Sequence, residues 1–275
     1  MTLIRKSVPK PNVLGSGTPK PKKGKVTIIY CDDVLTSPTR DAKGVKMLGN
    51  FVLKAGSKME TIYMTPSSQK FNSEIDGDED FEGFIKKFEG FYPGDTLEIR
   101  EFRQNNLGVP VILLFGEGCG EDTGTVLGSV CNPMKLKGNT ENTNEFRKTT
   151  LIYEQIQKEK LEAGFYNGEI TLAANFVAAD VDLELTKANG PVQQLPALAI
   201  TDAITATSID LDNGTIVSLI GGGGTAPATL DVGVQGLVTV ILLNGTQWVA
   251  LKDAVINLEV VKGGATTYLV ERSRA

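Results

Sequence analysis

Short apolar runs rich in β-branched residues, each ended by a turn, constrain the fold of this chain more than any other feature. Val26–Tyr30, Val109–Phe115 and Ile216–Ile220 are runs of this kind, and turn pairs such as Asn244-Gly245 separate those in the last third. Runs of about four to eight such residues between turn residues are typical of strands. The sequence therefore predicts a mainly β protein.

The charge is distributed unevenly along the 275 residues, which are enough for one large domain or two ordinary ones. The first 173 residues hold equal numbers of acids and bases, whereas the remainder is sparsely charged, with ten acids and five bases. This shift predicts two domains. The expected organisation is an extended basic arm over 1–25, a β domain over 26–173, a linker over 174–197, and a small all-β sandwich or roll over 198–275.

The N-terminal arm contains seven bases, no acid, four prolines and three glycines. Its bases are Arg5, Lys6, Lys10, Lys20, Lys22, Lys23 and Lys25. Proline and glycine at this density disfavour a helix. The arm is either a disordered tail or a segment that orders on a neighbouring subunit, where its bases would meet acids.

An acidic block over residues 74–101 carries ten acids against three bases. Within it, four apolar residues follow helical spacing: Phe81, Phe84, Ile85 and Phe88. With Asp78 as N-cap and Gly90 as terminator, this spacing predicts a helix near 78–89. A helix start needs only two or three acids, so the surplus is predicted to contact other subunits. The acids concerned are Asp76, Asp78, Glu79, Asp80, Glu98 and Glu101.

No motif for catalysis or for metal binding stands out. The chain has no histidine, which removes the commonest general base, triad partner and metal ligand. Asp76-Gly77-Asp78-Glu79-Asp80 has calcium-loop spacing but carries Phe81 where such a loop requires glycine. We therefore expect no catalytic residue, no metal ligand and no cofactor, and a protein that is not an enzyme.

Two glycine-rich segments do not match phosphate-binding motifs. In Gly116–Gly120 the third motif glycine would fall on Glu121, and Gly221–Gly224 is not followed by Lys-Ser/Thr. The first segment is predicted to be a structural turn and the second a flexible loop. The three cysteines have no CxxC spacing, which predicts reduced thiols. No apolar run reaches the ~18 residues of a membrane span, and no signal peptide is expected.

The order of segments between residues 50 and 170 resembles the tail tube (major tail) proteins of long-tailed bacteriophages. The segments that carry the resemblance are Lys58–Tyr63, Thr65-Pro66-Ser67, Asp76–Gly83, Gly90–Asp95, Leu97–Phe102, Gly128–Pro133 and Asn144–Gln155. The resemblance implies a β-sandwich or half-barrel with one flanking α-helix. It also implies that six copies form a ring and that rings stack into a tube through which DNA passes non-specifically.

In such a tube Leu97–Phe102 and Lys148–Gln157 would belong to the inner sheet, and the arm and the turn-rich segment Asp33–Gly56 would contact the next ring. Acids not engaged by the arm would line the lumen. The implied partners are further copies of the chain and other phage tail proteins. The implied location is the virion tail, after synthesis in the cytoplasm of the bacterial host.

The end of the chain, Thr267–Arg274, resembles β-rich modules that close some phage fibre proteins. This resemblance implies an outward-facing C-terminal domain that contacts a host surface or a glycan. The alternative function is therefore a capsid decoration or host-adhesion module. Such a module would form small oligomers and would bind particles or glycans without polymerising.

Overall fold

The computed structural model describes residues 7–11, 17–117 and 124–275. Its strands in the first part of the chain are β1 (Lys22–Tyr30), β2 (Val34–Thr36), β3 (Thr39–Arg40), β4 (Met47–Leu48), β5 (Val52–Leu53), β6 (Glu60–Tyr63), β7 (Lys70–Asp76), β8 (Gly83–Pro93), β9 (Pro110–Glu117), β10 (Gly124–Leu127), β11 (Met134–Lys137), β12 (Thr140–Asn142), β13 (Arg147–Gln155) and β14 (Gly164–Tyr166). One α-helix occurs among the described residues, α1 (Leu97–Asn105).

The strands that follow have two to five residues, except for the last two, which have nine each. They are β15 (Phe176–Val177), β16 (Asp182–Leu185), β17 (Val192–Gln194), β18 (Thr205–Ile209), β19 (Ile216–Ile220), β20 (Thr229–Leu230), β21 (Gly233–Gln235), β22 (Val238–Ile241), β23 (Trp248–Val249), β24 (Val255–Gly263) and β25 (Thr266–Arg274). The prediction of a mainly β protein with a half-barrel sheet is confirmed. No helix in the described ranges is long and apolar enough to cross a membrane.

The chain divides into two compact units, each built from several segments. Unit 1 comprises Met1–Asp32, Thr39–Leu48 and Met59–Asn167. Unit 2 comprises Asp33–Pro38, Gly49–Lys58 and Gly168–Ala275. The segment Asp33–Gly56, predicted to be a single long loop or hairpin, is therefore shared between the two units.

Unit 1 is a ten-stranded sheet that curls around one hydrophobic core. The order β14-β10-β9-β11-β13-β8-β7 forms its main path, and β1 pairs with β6 and β9. Phe115 on β9 meets Phe88 on β8 at a ring-centroid distance of 4.7 Å, although β11 and β13 lie between these strands in the sheet. This contact shows how strongly the sheet curls. Val26, Leu113 and Leu151 fill the same core.

The predicted helix near 78–89 is wrong, because Gly83–Pro93 is a strand paired with β7 on one side and β13 on the other. Phe84, Lys86 and Phe88 alternate with outward-facing residues and point to the core side of the sheet. Lys86 obscures this alternation in the sequence, because a lysine usually occupies a solvent-exposed position unless it is paired. Here Lys86 is buried and its Nζ lies 2.5 Å from Glu159 Oε1.

The predicted strand at Leu97–Phe102 is also wrong, because this segment forms α1. Thr96 occupies the N-cap position, and Glu98 in the first turn and Arg103 in the last turn suit the helix dipole. Ile99 and Phe102 lie one turn apart and pack on the core of unit 1. The acid and the base thus mark the two ends of a short helix. The companion prediction of a strand at Lys148–Gln157 is confirmed by β13.

Unit 2 is β-solenoid-like, with a seven-stranded sheet in the order β15-β17-β19-β24-β25-β22-β21. Its pairs β15-β17, β17-β19 and β22-β25 are parallel, as is the separate pair β16-β18. The predicted linker over 174–197 is wrong as a linker, because it contains β15, β16 and β17. Its short polar stretches are the turns between stacked strands.

The glycine run Gly221–Gly224, predicted to be a flexible loop, is tightly packed. A Cβ at Gly222 would lie 2.3 Å from the carbonyl oxygens of Leu195 and Pro196. A Cβ at Gly224 would lie 2.1 Å from Leu198 O. Neighbouring turns of unit 2 approach one another at these residues, and only glycine leaves room for them.

Candidate assembly surfaces

The hairpin between β7 and β8 brings together four of the acids that are predicted to contact other subunits, namely Asp76, Asp78, Glu79 and Asp80. Asp76 pairs with Gly83 at the end of the ladder, and the loop between them is Gly77–Glu82. We call this loop the acidic tip; its acids are Asp78, Glu79, Asp80 and Glu82. All four are exposed, and none forms an ion pair within the described part of the chain. The tip therefore carries uncompensated negative charge.

Asp76 differs from the acids of the tip because it has a cation of its own. Lys158 Nζ lies 2.8 Å from Asp76 Oδ2. The hydrogen bond and the charge of Lys158 hold the pKa of Asp76 below its usual range. Asp76 therefore stabilises the base of the hairpin and is not free for a partner.

Two apolar side chains stand exposed beside the acids. Phe81 in the tip is 78% exposed and Ile75 on β7 is 71% exposed. The backbone of the tip is held by the Phe81 N–H, which donates to Asp78 O at 2.9 Å, and by Gly77 at φ +126°. A Cβ at Gly77 would lie 2.3 Å from Phe81 O, so the turn needs glycine there. The tip thus presents a phenyl ring in a defined loop.

Glu98 and Glu101 do not belong to this surface, since they lie on α1 beyond the opposite end of β8. Both are exposed. Glu98 accepts hydrogen bonds from the Thr96 hydroxyl and from its own backbone N–H, and these lower its pKa. Glu98 therefore binds an N–H of the first turn of α1, and the structure separates Glu98 and Glu101 from the acids of the β7–β8 hairpin.

The other side of α1 is basic and borders a cleft that the sequence did not reveal. Arg100, Arg103 and Gln104 lie on one stripe of the helix. They line, with Leu107, Leu136, Lys137 and Gly138, a cleft of about 280 Å³ that we call the basic cleft. Leu107 is 75% exposed, whereas Leu136 is buried in the floor.

The cations of the basic cleft differ in how they are paired. Arg100 forms a bidentate pair with Asp95, at 2.6 Å and 2.5 Å, which lowers the pKa of that carboxyl. Lys137 lies 2.8 Å from Glu154. Arg103 donates only to neutral acceptors, Thr140 Oγ1 and Gly138 O, in the described part of the chain. Its charge acts on Asp95 without contact and helps to lower the pKa of that carboxyl, so its guanidinium still has no directly bound anion within these residues.

The last residues of the predicted basic arm belong to strand β1 of unit 1. Arg5 and Lys6 lie outside the described residues. Lys10, Lys20 and Lys25 are exposed. Lys22 and Lys23 open β1, and Lys22 Nζ donates to Gln69 O at 3.0 Å, with the ring centroid of Phe115 5.8 Å away. Lys22 is therefore engaged by its own unit.

The face of unit 1 that points away from the core carries alternating lysines and glutamates across β7, β8, β13 and β11. Lys70 pairs with Glu89 at 3.1 Å, and Glu154 pairs with Lys87 at 3.0 Å and with Lys137 at 2.8 Å. The cross-strand pairs neutralise one another, so this face is polar with little net charge.

The sheet of unit 1 ends on a strand with an open edge. β7 pairs with β8 over seven consecutive residues without a bulge, and no other described strand pairs with it. Its outer backbone N–H and C=O groups therefore form a row that a further strand can join. Among the residues that the structure describes, no group of three or more Cys, Asp or Glu side chains is placed to hold a metal ion.

Comparison with family models, with curated proteins and with solved structures gives no match to this chain.

Proposed function

We propose that this chain is a structural subunit that associates with copies of itself through the sheet of unit 1. The observation that carries the proposal is the open edge of β7, which is seven residues long and exposed except at Phe71 and Ser73, which are half-buried. Soluble proteins usually cover, shorten or bend such an edge, because it is a template for pairing with another chain. A subunit whose sheet continues into that of its neighbour uses the edge instead.

The tail tube resemblance turns this general proposal into a specific one. A curled half-barrel sheet with one helix beside it is the architecture that the resemblance implies, and unit 1 has both features. We propose that six such sheets join edge to edge into a ring and that rings stack into a phage tail tube in the virion. Other tail proteins would then contact the two ends of the tube.

The neutral polar face supports the passage of DNA. Phosphates bind uncompensated lysines and arginines through release of counterions. Lysines already paired with glutamates, such as Lys70 with Glu89 and Lys87 with Glu154, offer little such affinity. If this face lines the lumen, DNA can move along it without binding tightly.

The exposed part of the arm supports stacking. Lys10 and Lys20 are exposed, and no described strand includes them. An arm of this kind can reach acids on the next ring, where salt screening would weaken the contact. Stacking should therefore be more sensitive to salt than ring formation.

Unit 2 gives the alternative function one observation in its favour. The outer side of its sheet carries exposed apolar residues, among them Val234 at 75% and Ile241 at 46%. Apolar residues on an open sheet face suit a binding surface of a decoration or adhesion module. Under this alternative the full chain would bind particles or glycans but would not polymerise.

Negative-stain electron microscopy of the purified chain tests the proposal. Wild-type protein should form rings or tubes, and Ile75→Lys should abolish them, because it places a charge on the open edge of β7. Val234→Lys is the matched control, since Val234 is equally exposed but lies on β21 of unit 2. A wild-type chain that stays monomeric at high concentration in any salt would overturn the proposal.

A further inference from the structure

The acidic tip has the properties of a ligand rather than of a free loop. Phe81 is 78% exposed and is surrounded by Asp78, Glu79, Asp80 and Glu82. A phenyl ring gains free energy when it leaves water, and acids around it select a basic acceptor. Because the turn is held by Gly77 and by the Phe81 N–H, little conformational entropy would be lost on docking.

The basic cleft has the complementary properties. Its volume of about 280 Å³ has room for one aromatic ring, and the exposed Leu107 supplies an apolar wall above the buried Leu136. Arg103 supplies a guanidinium that makes no hydrogen bond or salt bridge to an acid among the described residues, although its charge helps to lower the pKa of Asp95. Arginine next to an apolar cleft binds both an aromatic ring and a carboxylate.

We propose that the acidic tip of one copy docks in the basic cleft of another, with Phe81 against the exposed Leu107 and the acids of the tip around Arg103. This inference rests on the proposed self-assembly and names the surfaces that meet. Charge complementarity selects the occupant, because this chain itself carries an exposed aromatic residue flanked by four acids.

The positions of the two surfaces in unit 1 exclude docking within one chain. The tip precedes β8 and α1 follows it, and the eleven residues of β8 form a continuous strand between them. At about 3.3 Å per residue this strand separates its ends by roughly 35 Å. The contact is therefore between copies, and it is heterologous, since each copy offers a tip on one side and a cleft on the other. Heterologous contacts propagate into closed rings or into filaments.

Complementing variants of the full chain test the contact. Phe81→Ser removes the phenyl ring of the tip and leaves the cleft intact. Arg103→Glu removes the guanidinium of the cleft and leaves the tip intact. Each variant alone should associate at least about tenfold more weakly than wild type, which corresponds to 1.4 kcal/mol. An equimolar mixture should form 1:1 heterodimers at concentrations where each variant alone stays monomeric, because only in the mixture can one intact tip meet one intact cleft.

Mass photometry and light scattering measure the masses, and circular dichroism checks that each variant is folded. Ile200→Ser and Lys262→Glu are the matched controls, because they alter an exposed apolar residue and an exposed base of unit 2. Both controls should assemble like wild type. The heterodimer should dissociate as salt is raised, since charges contribute to the contact.

The outcomes separate this contact from the proposed function. Wild-type assembly with unimpaired Phe81→Ser and Arg103→Glu variants would overturn the contact and leave self-assembly standing. Monomeric variants whose mixture also stays monomeric would show that tip and cleft do not meet each other. A heterodimer from the mixture, together with wild-type oligomers that never form rings or tubes, would support the contact and overturn the tube.

Discussion

Replacement of Lys86 by methionine should strongly destabilise unit 1. The side chain of Lys86 is 1% exposed, and its Nζ donates to Glu159 Oε1 at 2.5 Å and to Leu161 O at 2.6 Å. Gln155 Nε2 donates to the same carboxylate oxygen at 2.7 Å. The lysine thus ties the segment after β13 to the inner side of β8.

The magnitude follows from what the substitution leaves behind. Lys86→Met keeps the length of the side chain but leaves the carboxylate of Glu159, whose side chain is 15% exposed, with one neutral hydrogen-bond donor and the charge of Arg40 at longer range. It also leaves Leu161 O without this donor. Removing one partner of a buried ion pair costs about 3–5 kcal/mol, a large part of the roughly 5–15 kcal/mol that stabilises a typical domain. We expect a loss of about 3 kcal/mol.

Lys87→Met is the matched control on the same strand. Lys87 faces the other side of the sheet, is 44% exposed and pairs with Glu154 at 3.0 Å. Such a solvent-screened pair contributes only about 0–1 kcal/mol. The double variant Lys86→Met with Glu159→Leu should recover part of the loss, because it no longer leaves a buried charge unpaired.

Native-state hydrogen exchange measures the opening free energy of β8 and β13 directly. Fluorescence of Trp248, the single tryptophan and a core residue of unit 2, provides an internal reference during urea unfolding. A loss in Lys86→Met no larger than that in Lys87→Met would refute the reasoning, since the buried pair would then contribute no more than the exposed one.

Three further predictions concern other parts of the chain. Gly222→Ala should lower the urea midpoint of unit 2 measured by Trp fluorescence, because its Cβ would lie 2.3 Å from a carbonyl oxygen; an unchanged midpoint would contradict the close packing. Burial raises the pKa of Glu271, but the Arg274 guanidinium and a backbone N–H outweigh it and hold that pKa below its usual value. The charged Glu271 therefore stabilises the folded state fully above the ordinary pKa of about 4.3, and this stabilisation disappears as pH falls through the lowered pKa. Glu271→Gln should consequently flatten the acid side of the plot of unfolding free energy against pH. Parallel plots for the two proteins would argue against it. Burial and a neighbouring carboxylate raise the pKa of Cys31 to about 11, so iodoacetamide at pH 8 should label exposed Cys131 at least about tenfold faster; equal rates by peptide mass spectrometry would disprove this.

The candidate surfaces could be predicted only in part. From composition alone, the acidic block that contains Asp78, Glu79 and Asp80 holds more acids than a helix start needs. The structure places these three acids together on one exposed loop. The basic cleft does not follow from the sequence prediction, which treats Leu97–Phe102 as a strand, whereas this segment forms α1. As a strand, Arg100 and Arg103 would point to opposite faces, whereas on a helix they lie one turn apart. The two-residue period of a strand therefore separates two arginines that the 3.6-residue period of a helix brings together.

What the sequence determined by itself is the class of the fold and many of its strands. Val26–Tyr30, Val109–Phe115 and Ile216–Ile220 appear as strands because β-branched runs between turns have few other low-energy conformations. Charge composition likewise determined where acids and bases are concentrated. These are local properties, which neighbouring residues in the chain are enough to set.

Only the tertiary structure decided which period an ambiguous segment follows. Gly83–Pro93 has helical spacing and strand alternation at once, and pairing with β7 and β13 on both sides selected the strand. That pairing also buried Lys86 against Glu159, a partner 73 residues away. The glycines at 221–224 likewise make tight backbone contacts, because segments distant in the sequence pack against them. Long-range neighbours supply these energies, and no window of local sequence contains them.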